Sequence, residues 1–246
     1  MKYYKIIIVI VTLCFSCDRK QGIELSILNE SLVSYIPKDT IHRRITIKKK
    51  QYQDLANNKL KFKLENKSNQ VYMLVFSNET KNYFPSDFMS LGLNNLVFTD
   101  EDGNSPNYSN TSANADVLFY HQKTYQDSIV KEFYDNIGYK NKSDSWKSKS
   151  AEISKSILVI HPNEVVYFET YSYLPNHWNS ITGDYGGVNF EYNKKYTAKL
   201  QFSLHSYEDV DEYLTDLQKK EIKENNYKVY DGELISINKV PVDFVE

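Results

Sequence analysis

The sequence predicts a mainly β protein, an antiparallel β-sandwich with one or two peripheral helices, and three observations carry that reading. Apolar and polar residues alternate without error through Lys59–Glu65 and again through Thr197–His205, as half-buried strands require. The strands do not alternate with helical stretches in the βαβ manner, which argues for an antiparallel sandwich rather than a parallel sheet. The 246 residues include 21 Tyr and 12 Phe, large rings that suit a pleated core.

Taken in order, Ile23, Leu25 and Ile27 begin the pattern, and Ile45 and Ile47 continue it. Leu60, Phe62 and Leu64 share one face of the next strand. A five-residue polar connection, Asn66–Gln70, then leads into an apolar strand at Val71–Phe76, which reads as a β-hairpin. Leu96–Thr99, Ile157–Ile160 and Val165–Tyr173 supply the middle, the last two joined by His161-Pro162-Asn163-Glu164, a turn with proline at its second position. Ala198, Leu200, Phe202 and Leu204 form the cleanest face. The final strand, Leu234 to Phe244, changes face between Ile237 and Val240, so Pro241 is expected at an edge or a bulge. About nine such strands with polar outer faces suggest an immunoglobulin-like sandwich, with a barrel as the rival.

Two helices interrupt the strands. In Ser206–Glu224, Val210, Tyr213, Leu214 and Leu217 fall at i, i+3, i+4 and i+7 behind an N-cap at Ser206. Ser128–Ile137, closed by Gly138, is the second. Residues 100–116 and 136–156 are polar and rich in Lys, Ser and Asn, and read as long loops.

The amino terminus has a different character. Lys2 and Lys5 precede the apolar run Ile6–Phe15, followed by Ser16 and Cys17. This is the layout of a secretory signal, and as a helix Ile6–Ser16, of about 16 Å, is too short for a hydrocarbon layer of about 30 Å. Loss of residues 1–16 lowers Lys+Arg from 30 to 28 against 32 Asp+Glu, so the remainder is weakly acidic and no nucleic-acid partner is expected. No cysteine follows Cys17, although an exported domain is free to form disulfides. Over residues 1–20 the chain resembles the bacterial lipoproteins, in the loose form of their cleavage box found in Bacteroidota: Leu13 stands one place early and Phe15 is bulky before Ser16-Cys17. The resemblance implies cleavage by the type II signal peptidase and a diacylglyceryl thioether on Cys17. It further implies an extracytoplasmic protein of the cell envelope, periplasmic or surface-facing, bound to the membrane through its lipid. Cleavage of type I near Ser16 would instead release a soluble secreted protein. The expected organisation is a signal peptide at 1–16, a lipidated tether at 17–22 and one β-sandwich domain at 23–246.

Residues capable of chemistry are few in pattern. His42, His121, His161, His177 and His205 include no pair at i, i+2 or i, i+4, so no metal site is assigned. No Gly-x-Ser-x-Gly elbow, phosphate-binding loop or His-Glu-x-x-His occurs, and no catalytic residue or cofactor is assigned. A hydrolase whose residues converge from separate loops needs no local spacing and stands as a third class of function. Thr99-Asp100-Glu101-Asp102-Gly103-Asn104 lacks the ligand spacing of a calcium loop and reads as an Asp-Gly turn. Arg43-Arg44 and Lys48-Lys49-Lys50 flank Ile45–Ile47 as edge-strand charges.

The segment Tyr171–Tyr196 is the exception. Tyr173, Trp178 and Tyr185 stand there among His177, Asp184 and the pair Gly186-Gly187. Aromatic faces with polar edges suit a sugar, the rings stacking on its apolar face and the polar groups binding hydroxyls. Strand and core packing explains the same tyrosines and weighs more. The expectation is therefore a lipid-anchored binding or structural module with a protein or glycan partner. A carbohydrate-binding accessory protein using residues 171–196 is the alternative.

Overall fold

The computed structural model describes residues 22–36, 58–76, 95–111, 117–172, 174–178 and 185–245. The strand expected at Ile45–Ile47, with its basic flanks, and the amino-terminal segment through Gln21 lie outside them. Among the described residues strand outweighs helix, 42 % to 29 %, so the protein is mainly β.

The strands form four sheets. β1 (Ile23–Ile27), β3 (Asn58–Asn66) and β8 (Val165–Ser172) make the first, in the order β1-β3-β8. β4 (Tyr72–Val75), β7 (Ile157–Ile160) and β12 (Lys228–Val229) make the second, ordered β12-β4-β7. The third is built on the nine-residue β11 (Tyr196–Leu204), which pairs with β5 (Leu96–Asp100), β13 (Gly232–Ile235) and β14 (Val240–Val245); β14 also pairs with β2 (Leu32–Tyr35). β6 (Asn107–Thr111), β10 (Tyr185–Asn189) and β9 (Asn176–Trp178) make the fourth, ordered β6-β10-β9. Pairing is antiparallel except for β12 with β4 and β14 with β2, which run parallel.

The hairpin expected through Asn66–Gln70 is absent, and the turn at 161–164 does not join a hairpin either. β3 pairs with β1 and β8, not with β4, and β7 pairs with β4, not with β8. β3 and β8 form one antiparallel ribbon, β4 and β7 continue it in another sheet, and the ribbon bends between them. Asn66 causes the bend. It is fully buried, and its side chain Nδ2 donates to the carbonyls of Gln70 (2.7 Å) and Ile160 (3.1 Å). Its Oδ1 accepts from the N–H (3.0 Å) and hydroxyl (2.7 Å) of Ser68. Its own backbone N–H reaches the Glu164 carbonyl at 3.0 Å, and the Asn163 N–H reaches its carbonyl at 2.8 Å. A buried amide so fully satisfied holds both turns of the ribbon against each other.

The bend places a large apolar core between the sheets. Leu25, Leu60, Phe62 and Leu64 from the first sheet meet Tyr72, Leu74 and Ile160 from the second and Leu96, Phe98, Leu200 and Phe202 from the third. Phe62 stacks on Phe168 with centroids 5.0 Å apart, and Phe202 lies edge-on to Phe76 at 5.4 Å. The opposite face of β4 is buried as well. There Met73 and Val75 pack on Ile153, Val210 and Leu214 from the helices, which makes a second, smaller core. This double burial explains why Tyr72–Val75 reads as an unbroken apolar run rather than an alternating one.

The helices differ from expectation in extent. α1 spans Val117–Tyr134 and runs into a π-turn at Asp135–Tyr139, where Gly138 adopts φ +99° and ends the helix as its sequence implies. The expected loop at 136–156 is largely α2, Asp144–Ser156, capped by Ser143 through a bond from the Trp146 N–H. The expected loop at 100–116 contains β6. The helix anticipated over Ser206–Glu224 is broken. Ser206 caps α3 (Tyr207–Val210), a 3-10 turn follows at Asp211–Tyr213, and Leu214 is extended. Thr215 and Gln218 then form a second reciprocal cap that starts α4, Asp216–Glu224. Leu217 consequently leaves the apolar face and is 74 % exposed.

The last expected strand is likewise two. β13 and β14 lie along β11, and residues 236–239 bulge out between them. The bulge is held by the Ser236 hydroxyl, which accepts the Leu200 N–H at 3.0 Å. Asn238 at the bulge binds the backbone of Ile27 twice, accepting its N–H at 2.9 Å and donating to its carbonyl at 2.8 Å. Pro241 is the second residue of β14, opposite Thr197, just after the bulge and one residue before the pairing with β2 begins, so its missing N–H takes no bond from the β2 ladder.

Replacing Asn66 with alanine removes the side chain that serves the buried Ile160 carbonyl, the Gln70 carbonyl and the Ser68 N–H, and about 2–4 kcal/mol of stability is expected to be lost. Asn69→Ala, at an exposed position of the same turn, is expected to change stability by less than about 0.5 kcal/mol. Urea unfolding of the two variants beside wild type makes the comparison.

Candidate functional site

The aromatic segment begins where β8 ends. Pairing with β3 runs from Val165 opposite Glu65 to Ser172 opposite Asn58, and Leu174 and Pro175 then turn the chain into β9. Asn58 is buried, and its side chain amide serves Val33 as a strand would, accepting the N–H at 2.7 Å and donating to the carbonyl at 2.8 Å. The Tyr35 N–H reaches the Leu174 carbonyl at 3.3 Å and the Val188 N–H reaches that of Pro175 at 2.7 Å. β2, β8 and β10 are thus joined at this end of the ribbon.

Register decides which of the sequence candidates come together. Trp178 lies directly opposite Tyr185, His177 opposite Gly186 and Asn176 opposite Gly187. Val188 belongs to the main core, so with a period of two Gly186 shares its face and Tyr185 takes the other, as does the exposed Asn189. Directly opposed residues occupy the same face of a ladder, so the Trp178 and Tyr185 positions share one face of it and the His177 and Gly186 positions share the other. Tyr173 and Asp184 lie outside the described residues, as does Cys17.

Other members of the segment are structural. Phe190 and Tyr196 are buried, with Phe190 meeting Phe98 (5.2 Å), Tyr196 (5.0 Å) and Phe244 (5.3 Å) in edge-on contacts. Tyr192 is partly exposed and closes over Phe244 at 5.2 Å. The packing reading holds for these residues.

The Asp100–Asn104 segment is the expected Asp-Gly turn. The Asp100 carboxylate accepts the N–H groups of Asp102 (3.1 Å) and Asn104 (2.7 Å), and Gly103 supplies the left-handed φ of +85°. Lys194 lies 3.3 Å from the same carboxylate and 3.0 Å from Glu191. Burial acts to raise the Asp100 carboxyl, but the Asn104 N–H and the Lys194 ammonium outweigh it, and the net displacement is below the ordinary carboxylate value. Among the described residues no group of three or more His, Cys, Asp or Glu could hold a metal ion.

The helical layer offers a shallow open hollow of about 410 Å³ lined by Ser128, Lys131, Glu132, Asp135, Asn136 and Lys140. Two of its charges are engaged: Lys131 reaches Asp144 at 3.1 Å, and the buried Lys147 holds Asp135 at 2.6 Å. Beside it Trp146 stacks on Tyr139 at 5.2 Å and donates its indole N–H to the Glu212 carbonyl at 2.6 Å, which fastens α2 to the 3-10 turn. The spacing of the notable aromatics here, Tyr134, Tyr139 and Trp146, gave no signal in sequence because their contacts cross elements. No protein-family model, curated protein or solved structure matches the chain.

A group whose folded-state value is depressed stabilises the protein above its unfolded value, and that stabilisation is lost as pH falls through the depressed value. Wild type is therefore expected to be more stable than Asp100→Asn at neutral pH, and the gap should close on acidification below the ordinary carboxylate value. Chemical denaturation of both at a series of pH values tests this, and a gap that is constant or widens in acid counts against it.

Proposed function

We propose that this chain is a lipid-anchored protein of the cell envelope whose mainly β body, arranged as an immunoglobulin-like sandwich, is displayed outside the cytoplasm as a binding or structural module. The observation that carries the proposal is the succession of Lys2 and Lys5, the apolar run Ile6–Phe15 and Ser16-Cys17, followed by a body without cysteine. One acyl chain holds a protein to a membrane only marginally, whereas the two or three of a lipoprotein hold it stably. The described body is compatible with such a tether: its first strand starts at Ile23, six residues after Cys17, and none of its helices is long and apolar enough to cross a membrane. Antiparallel sheets packed around one core support the sandwich.

A second reading, that the module binds carbohydrate, is favoured by one observation: β9 and β10 bring the Trp178 and Tyr185 positions directly opposite each other on one face of a short, glycine-containing sheet. Two aromatic residues so placed can offer a stacking platform for a sugar ring. Asp184 and Tyr173, adjacent in sequence to these strands, are the polar and aromatic residues proposed to complete it, while the register sets His177 apart.

Two measurements separate these readings. In detergent phase partition the full-length chain expressed in its envelope is expected in the detergent phase and Cys17→Ala in the aqueous phase; both forms in the aqueous phase overturn the anchor. On a glycan array the soluble body is expected to lose its binding signal on Trp178→Ala, and an unchanged signal removes the carbohydrate reading.

A further inference from the structure

The length of chain between the proposed anchor and the first strand fixes which part of the body meets the membrane, an inference that rests on the lipid-anchor reading. Gly22 is fastened to the bend of the ribbon, its carbonyl accepting the Lys67 N–H at 3.1 Å. Ile23 is in register with Asn66, and Glu24 holds the Lys67 ammonium at 2.6 Å. Five peptide steps separate Cys17 from Gly22, at most about 18 Å when fully extended. The bend, with its turns at 67–70 and 161–164, therefore stays within that reach of the lipid. β3 and β8 run away from it: Ser172 stands about 24 Å from Val165 at about 3.4 Å per residue, and β9 begins only four residues later.

We propose that the two turns of the Asn66 bend rest against the lipid headgroups, and that the β6-β10-β9 sheet, with the Trp178 and Tyr185 positions, is held at the opposite end of the ribbon, facing away from the membrane. The occupant of the bend is a lipid surface and not a protein. The surface of the bend fits that role: Lys67, Asn69, Gln70, His161 and Asn163 are exposed and polar, suited to contact headgroups without entering the hydrocarbon. A ligand of the outer sheet then arrives from the side remote from the membrane.

The absence of cysteine after Cys17 makes the test direct, because a lipid-modified Cys17 leaves any introduced thiol unique. Asn69→Cys and His161→Cys at the bend and Asn189→Cys on β10, all exposed positions, are labelled with a fluorophore. The purified lipidated chain is then placed in phosphatidylcholine vesicles containing a headgroup spin-labelled lipid. Most of the emission is expected to be lost at positions 69 and 161 and little at 189. Equal loss at all three, or greater loss at 189, overturns the orientation while leaving the anchor standing. Intact mass of the same preparation reports the anchor separately: an unmodified Cys17 overturns the anchor and the orientation together.

Discussion

The architecture depends on a buried side chain amide standing in for a strand. At Asn66 the β3–β8 ribbon has to leave one sheet and enter another, and a backbone that turns sharply at the edge of the core leaves donors and acceptors with no ladder to bind them. One asparagine supplies two donors and an acceptor at the point where the ladder fails, reaching the carbonyls of Gln70 and Ile160 and the donors of Ser68. The same device recurs at the other seams. Asn58 binds both backbone groups of Val33, Asn238 both groups of Ile27, and Asn29 bridges the Lys59 carbonyl and the Lys61 N–H. Backbone groups of chain segments that cannot continue a sheet are thereby given partners, and the sheets share one core.

From that bend the layering follows. Because β4 and β7 fold across from β3 and β8, Leu74 and Ile160 face the main core while Met73 and Val75 face outward, and an outward apolar face requires a cover. α2, α3 and the turn before α4 provide it through Ile153, Val210 and Leu214. The aromatic contacts of Trp146 and Tyr139 and the buried Lys147–Asp135 pair lock the helical layer into place, so it is a structural shell rather than an appendage.

What the sequence makes legible is local. The faces of β3 and β11, the cap at Ser206 and the stop at Gly138 each follow from a period or a residue's own backbone preference, and each is found. Partner choice is not local. Asn66–Gln70 has the length and polarity of a hairpin loop, and nothing within it discloses that its strands belong to different sheets; the deciding bond, to Ile160, spans 94 residues. α2 was obscured because its buried face is itself largely polar, carrying Lys147 and Ser150 beside Ile153, so its composition resembles a loop. The break at Thr215 was obscured for the opposite reason, since Leu214 and Leu217 fit a continuous helix while the Thr215–Gln218 cap restarts it. Within the aromatic segment, residue type suggested one cluster. It divides into a buried part around Phe190 and Tyr196, a directly opposed pair of positions at Trp178 and Tyr185, and the His177 position on the other face of that ladder.

The proposed function joins these features into a display device: a short tether, a bend beside the membrane and a small sheet carried at the far end of a stiff ribbon. Its central claim concerns the chemistry of one residue, and the most direct measurement is peptide mass analysis of the chain purified from the envelope. The expected result is an amino-terminal peptide that starts at Cys17 and carries the mass of a diacylglyceryl thioether. A free thiol at Cys17, or a chain that starts at another residue, contradicts the account.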